Sequence, residues 1–416
     1  MEEGNPPVDD NTNSENVENE FSLDPNDIVE VIHLEGEDED ISHDVNDMDL
    51  HSDEEDDEFD EESEAMGGGQ VKDDASAVFS SHSDAVFSVG IDPHEGKMVV
   101  TGGQDDKGYI WSVTDGESIM ECGGHKDSVT SVGFSFDGMY AATADLSGLV
   151  KVWKVDTKSE VWSFECSDIE WLQWHLLAPV LLCGTVDGDV WMWKIPDGDC
   201  KTFQGHGCTA GVGRILPDGK RLCVGYDDGA VKIWNMKTAD VMKTISGRDG
   251  HTSTVVCMDC HHDNSMVMTG STDITAKVIN SSTGKVLSTF KCESIKEGDN
   301  SVEACGFCKQ QTLAATGTLQ GTLCIWDMPT QIVRSSCQHE AGVVRLKWDP
   351  TAPLVYTACL DGVVRLWDGR NGQCVNQWTG HTDSILDFDL SRDGETLVTV
   401  SDDKTARVFS LHTPDR

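Results

Sequence analysis

The sequence predicts an all-β protein, an eight-bladed propeller preceded by a disordered acidic N-terminal tail. Three observations predict it. An apolar strand-ending residue recurs every 40–47 residues, at Trp111, Trp153, Trp193, Trp234, Ile279, Trp326, Trp367 and Phe409. A histidine precedes most of these at a fixed interval. Acidic residues crowd one end: residues 1–74 hold 30 of the 75 Asp and Glu against one base, Lys72.

The tail comes first in the chain. Its like charges and scarce aromatics bury too little surface to offset the entropy of ordering, so residues 1–74 are expected to be disordered. The run Met66–Gln70, Met-Gly-Gly-Gly-Gln, reads as a flexible linker. Ile28-Val29-Glu30-Val31-Ile32-His33-Leu34 is the tail's one apolar cluster. It is either chance or a short motif that docks on a sheet edge or in a groove. Ser52-Asp53-Glu54-Glu55 has the acidic context that an acidophilic kinase prefers.

Residues 75–416 read as one repeat array. His125, His206, His251, His339 and His381 lie 28 residues before the strand-ending residue, and His82 lies 29 before. Asp105, Asp187, Asp228, Asp273, Asp361 and Asp403 lie six before it. Between them run alternating strands such as Val129-Thr130-Ser131-Val132-Gly133-Phe134, then turn formers such as Phe136-Asp137-Gly138. An Asp so placed accepts a hydrogen bond from the His, which lies near a strand hydroxyl and the Trp indole. His125, His206, His251 and His381, with Asp187, Asp228, Asp273, Asp361 and Asp403, are therefore assigned structural roles. Gly-His…Trp-Asp at this period is the WD40 signature, complete with Trp326-Asp327 and Trp367-Asp368.

Eight strand-ending positions imply eight blades of four strands. Repeat three has Glu165 at the His position. Repeat six has Gly298 for His and Gln320 for Asp, and repeat two has Ser147 for Asp. These blades are expected to lose part of the polar network and to depend on packing. The chain runs out soon after Phe409, so residues 75–80 are expected to supply the last blade's outer strand and remove a free edge.

Charge and composition narrow the function. The net charge of −45 repels phosphates, so direct nucleic-acid binding is not expected, whereas a basic polypeptide segment is a suitable partner. Met1-Glu2-Glu3 lacks a secretory pattern, and no window is long and apolar enough for a transmembrane helix. The 15 cysteines, scattered and odd in number, favour a reducing, cytoplasmic setting. No nucleophile elbow, P-loop or dinucleotide fingerprint is present, so no enzyme, no cofactor and no metal ligand set is expected. Cys257 and Cys260 beside His261-His262, with Cys305 and Cys308 in the next blade, have zinc-like spacing. They fall in slots that other blades fill with ordinary strand residues, and side chains three apart on a strand face opposite ways.

Binding is expected on the narrow face. By register, residues three and five after each His position, and the one before each turn Asp, face it. The candidates are Phe87, Thr130, Asp168, Glu170, Asp227, Glu303, Leu360, Leu386 and Asp402. Five are acidic and none is basic. Carboxylates around apolar positions suit a basic, partly extended peptide, and the alternative is that they only solubilise the face. The tail either captures such a partner or screens the face.

Several specific stretches carry a family resemblance. They include Gly123-Gly124-His125-Lys126-Asp127-Ser128-Val129-Thr130, Val161-Trp162-Ser163-Phe164-Glu165 with Glu170-Trp171, Ala178-Pro179-Val180-Leu181-Leu182, Leu360–Asp368 and Pro414-Asp415-Arg416. The chain resembles the angio-associated migratory cell protein family across the whole propeller and in the Ile-Val-Glu-Val motif of the tail. That family is similar to the fungal propeller that chaperones a basic large-subunit ribosomal protein during ribosome assembly. A monomer is expected, and the resemblance implies a protein-binding chaperone of a basic ribosomal protein in the cytoplasm, or an adaptor. It also implies a role in cell migration and angiogenesis, with peripheral association at the cell membrane. The basic heparin-binding segment linked to the family's N-terminus has no counterpart here.

Overall fold

A computed structural model describes residues 72–292 and 298–411. The Ile28–Leu34 cluster, Ser52, the Gly67–Gly69 linker and Pro414–Arg416 lie outside the described residues. The described chain forms eight four-stranded antiparallel sheets. Blades 1 to 7 span Val86–Cys122, Val129–Glu165, Ile169–Phe203, Val212–Ile245, Val255–Lys291, Val302–Gln338 and Val343–Trp378. Blade 8 takes three strands from Ile385–Ser410 and its outer strand from Ala77–Phe79.

The apolar residues do not collect at one centre. Each large buried cluster straddles one seam between neighbouring blades. Val100, Ile110 and Met120 of blade 1 meet Phe134, Ala141 and Trp153 of blade 2. Trp171, Leu182 and Phe203 of blade 3 meet Ile215, Leu222 and Trp234 of blade 4. A blade alone therefore leaves one apolar face bare, and only the closed ring covers every face.

Closure between blades 8 and 1 depends on the first described residues. Ala77, Val78 and Phe79 pair with Val408, Arg407 and Ala406. Phe79 is 1% exposed and stacks on Trp111 with ring centroids 5.0 Å apart. Upstream, the Asp74 amide donates to the Thr379 carbonyl at 2.9 Å, and the Thr379 amide donates to Asp74 Oδ2 at 3.0 Å. Asp73 forms an ion pair with Arg407. Thr379 lies just before His381, so the chain leading to the acidic segment is fastened beside the turns of one propeller face.

The repeating polar network has one consistent donor order. In blade 2 the Trp153 indole donates to Thr143 Oγ1 at 2.9 Å. Thr143 lies 2.7 Å from His125 Nε2, and His125 Nδ1 lies 3.0 Å from Asp145 Oδ2. With the proton on Nδ1, every donor meets an acceptor. Blade 1 repeats the chain through Trp111, Thr101, His82 and Asp105. Blades 5 and 8 keep it through Thr269–His251–Asp273 and Thr399–His381–Asp403, with Ile279 and Phe409 replacing the indole.

Three expectations need correction here. Blade 2 loses nothing by carrying Ser147, because Asp145, two residues earlier, takes the His125 bond and accepts from the Ser147 hydroxyl at 2.7 Å. Asp361 does not accept from His339. It pairs with Arg365 at 2.7 Å, while His339 Nδ1 meets the Gly321 carbonyl at 3.0 Å. Asp187 is exposed and has no histidine to meet in blade 3. Asp189 works there instead, accepting from the Gly205 amide at 2.8 Å.

The degenerate blades compensate by different means. Blade 3 has Cys183 at the threonine position and leaves the buried Trp193 Nε1 unpartnered. It surrounds that indole with rings: Trp162 and Phe164 each lie 5.2 Å from Trp193. Its Trp171 and Trp174 indoles donate outward to Ala210 and Gly133, at 2.9 and 3.0 Å, tying it to both neighbours. Blade 6 substitutes amides. Gln320 Nε2 donates to the Gly298 carbonyl at 3.2 Å, and Asn300 Oδ1 accepts from the Gln320 amide at 3.2 Å.

Candidate functional site

The innermost strand of each blade lines a central channel of about 520 Å³. In seven blades the inner pair carries a register shift near its start. The residues skipped by these bulges are Phe87, Thr130, Glu170, Val256, Glu303, Val344 and Leu386. A bulge leaves one residue without a cross-strand partner and re-aims its side chain. Five sequence candidates, Phe87, Thr130, Glu170, Glu303 and Leu386, therefore share one structural position. Of these, Phe87, Thr130, Glu170 and Glu303 line the channel, as does Val256.

The remaining candidates sit at the turns of the same face. The Asp227, Leu360 and Asp402 amides donate to Thr209, Gly342 and Ser384 carbonyls at 3.1, 2.9 and 3.0 Å. The Asp168 carbonyl accepts from Val186 at 3.0 Å. Asp168, Glu170, Asp227 and Asp402 are exposed, Glu303 is half-buried, and the Glu303 carboxylate accepts a short bond from Ser301.

One group of candidates converges. Glu170 of blade 3 feels the charges of Asp168 in its own blade and of Asp227 across the seam in blade 4. The Glu170 carboxyl is held above the usual carboxylate range, first by desolvation at the channel mouth, then by Asp227 and Asp168. Like charges that share a mouth keep a proton longer than isolated ones. Among the described residues, no side-chain hydrogen bond or ion pair holds any of the three.

Sequence reasoning missed the charges deeper in the channel. Arg214, Arg345, Lys347 and Arg392 also line it, with Asp387 and Asp389. Most of this charge is internally matched. Arg345 pairs with Asp387 at 3.1 Å and Lys347 with Asp389 at 2.6 Å, both across the seam of blades 7 and 8. Asp389 Oδ2 also accepts from the Ile91 amide at 2.8 Å, stapling blade 8 to blade 1. Asp259 does the same for blade 6, accepting from Phe307 at 2.8 Å. These acids hold inner strands together, whereas the Asp168–Glu170–Asp227 group spans its seam without such bonds. A cue was available: residues six and eight after a histidine position, such as Arg345 and Lys347 after His339 or Asp387 and Asp389 after His381, fall on the same inner strand.

Three of the four Cys-x-x-Cys residues take strand positions, and Cys308 lies just past a strand end. Cys257 and Cys260 lie on the inner strand of blade 5, and Cys305 on that of blade 6. Cys257 Sγ donates to the Val302 carbonyl at 3.2 Å. Among the described residues, no helix is long and apolar enough to cross a membrane.

Known proteins match this architecture. The family model described as "WD domain, G-beta repeat" matches residues 74–112, 116–154, 199–235, 242–280, 330–368 and 372–410, more than half of the chain. It passes over the body of blades 3 and 6, where the polar network is replaced. Angio-associated migratory cell protein from Homo sapiens is 50% identical over 361 residues, covering 84% of this chain and 83% of that protein. Ribosome assembly protein SQT1 from Saccharomyces cerevisiae is 24% identical over 409 residues, covering 88% and 93%. Among solved structures, Chaetomium thermophilum Sqt1 bound to the N-terminus of the ribosomal protein L10 superposes with a TM-score of 0.74. It is 22% identical, and the match covers 82% of this chain and 100% of that one. The chain belongs to the WD40-repeat family, within the angio-associated migratory cell protein group.

Proposed function

We propose that this propeller is a non-enzymatic scaffold that holds a basic polypeptide segment on its bulge-and-turn face, as a cytoplasmic chaperone or adaptor. The observation that carries it is the seam of blades 3 and 4. Among the described residues, Asp168, Glu170 and Asp227 have no side-chain partners there, and the Glu170 carboxyl is raised first by burial and then by the charges of Asp227 and Asp168. A cation from outside relieves that repulsion. A ribosomal protein fits, because a segment built to neutralise RNA phosphates carries Lys and Arg. The structural relative bound to a ribosomal-protein N-terminus supports the choice of a large-subunit ribosomal protein as client. Phe87, Leu360 and Leu386 supply apolar contacts, and the acidic segment before Lys72 extends the attracting field. The 15 cysteines suit a reducing compartment.

The second reading is a signalling adaptor in cell migration and angiogenesis, peripheral to the membrane. It is favoured by the 50% identity to a protein named for migratory cells. One experiment separates the two. Affinity capture from cells is run with wild type and with Asp168→Arg/Glu170→Arg/Asp227→Arg. The chaperone reading expects one basic client to disappear. Retention of that client, or loss of many unrelated partners together, contradicts it.

A further inference from the structure

Blade 4 treats its histidine differently from the other blades that keep a His–Asp pair. Blades 1, 2, 5 and 8 hold Nε2 on Thr101, Thr143, Thr269 and Thr399. Blade 4 has Val224 at that position, and its buried Trp234 Nε1 has no partner. With no hydroxyl to hold it, His206 is turned over. Nε2, not Nδ1, lies 2.9 Å from Asp228 Oδ2. Its side chain is 30% exposed, against 0% for His82, His125, His251 and His381. The ring rests edge-on against Tyr226, with centroids 4.5 Å apart.

The loop beside it is also unlike the others. Two residues after the histidine, blades 1, 2 and 8 carry Asp84, Asp127 and Asp383, each capping the next amide. Blade 4 carries Cys208. Gly207, at φ +82°, takes a left-handed turn between His206 and Cys208. One ligand atom each from His206, Cys208 and Asp228 lies within 4.8 Å of the other two.

We propose that His206, Cys208 and Asp228 bind Zn²⁺, leaving a fourth position open to solvent or to a partner's side chain. Imidazole, thiolate and carboxylate together select zinc over magnesium or calcium, whose sites are built of oxygen. With ligand bonds of ~2.0–2.3 Å in a tetrahedron, the 2.9 Å His206–Asp228 pair must open slightly and the Cys208 thiol close in, and the part-exposed side chains have room to do both. The ion replaces one hydrogen bond, His206–Asp228, with three coordinate bonds and displaces the Cys208 proton. Lys232 is the cation that faces the cluster, its Nζ 5.3 Å from the Tyr226 ring centre and 5.4 Å from that of Trp234. Its charge opposes the metal. The site stands independently of the client reading, although Asp228 adjoins Asp227 of the acidic seam.

Cobalt is the probe. Full-length protein is stripped of metal under reducing conditions and titrated with Co²⁺. The expected result is one ion per chain, with a thiolate-to-cobalt charge-transfer absorption that excess Zn²⁺ abolishes. Cys208→Ser removes the absorption, and His206→Ala weakens binding by at least about tenfold, in variants whose far-ultraviolet circular dichroism shows the strands still folded. Lys232→Met tightens binding. Wild type without the absorption overturns the proposal. So does an undiminished absorption in Cys208→Ser, which assigns the thiolate to another cysteine.

Discussion

Blades 1, 2, 5 and 8 keep the His–Asp–Thr network, while blades 3, 4 and 6 have dissolved it. The first group is uniform: each histidine is fully enclosed and each aspartate is consumed by it. The second group carries four of the five acidic face candidates, Asp402 of blade 8 being the exception. Asp168 and Glu170 lie in blade 3, Asp227, His206 and Cys208 in blade 4, and Glu303 in blade 6. On the proposed reading, lapses in the stabilising grammar free side chains for the face. That pattern is expected of proteins that break local rules at sites of use.

The comparison breaks most severely if closure is unimportant. Deleting residues 72–79 removes the outer strand of blade 8 and the Phe79–Trp111 stack. The loss is expected to be at least the ~3–5 kcal/mol of truncating one buried Phe, read as a large drop in melting temperature and faster proteolysis. An unchanged melting curve defeats the closed-ring account.

Network blades and released blades are expected to answer hydroxyl exchange in opposite directions. Thr143→Val strands the Trp153 indole and His125 Nε2, and each buried orphan costs about 1–3 kcal/mol. Val224→Thr gives Trp234 an acceptor and is expected to gain no more than about 1 kcal/mol. Equal effects by chemical denaturation contradict the distinction. Gly213→Ala lies between the two. A Cβ there falls 2.1 Å from Trp171 Cζ2, so the indole is forced off Ala210, at about 1–3 kcal/mol for overpacking.

Acid separates the regions further. Burial alone raises Asp273 and Asp403, but bonds from His251, Thr275, His381 and Thr405 outweigh it and hold both well below 3.8. Their contribution is full above 3.8 and lost as pH falls through the depressed values. Burial pushes His339 down to about 4 from 6.5. The unfolded chain then binds the extra proton, so stability falls as pH drops from 6.5 to about 4, and His339→Asn flattens that window. Glu170 runs the other way. Its raised carboxyl binds protons more tightly when folded, so stability falls as pH rises through the carboxylate range. Glu170→Gln is expected to raise the melting temperature slightly at neutral pH while weakening a basic ligand. Melting curves across pH 3–8, a range of about five units around these carboxyl and imidazole values, check all three signs.

Much of this architecture was legible from spacing. The Trp and His periods mark every blade, and the short run before His82 marks the closing strand, because each strand needs the same turn chemistry at the same interval. Single-residue partners were not legible. Asp145 replaces Ser147, and Arg365 draws Asp361 away, because a two-residue shift around a turn keeps an oxygen in nearly the same place. At the face, the register located Phe87, Thr130, Glu170, Glu303 and Leu386 without showing that a bulge aims them. It missed Arg345 and Lys347 because their charges are cancelled across a seam that the sequence does not display. The His206–Cys208–Asp228 group was hidden for a related reason. Its ligands come from two loops and depend on Val224, a residue that reads as ordinary strand.

The central claim is that three unpartnered carboxylates at one seam grip a cation. It is tested most directly by the affinity of one Arg- and Lys-rich peptide, measured by calorimetry across a salt series. Wild type is compared with Asp168→Asn/Glu170→Gln/Asp227→Asn. The account predicts that wild-type binding weakens steeply with salt, and that the neutral variant binds at least about tenfold more weakly at low salt with a shallower slope. Equal affinities and parallel slopes in the two proteins would contradict it.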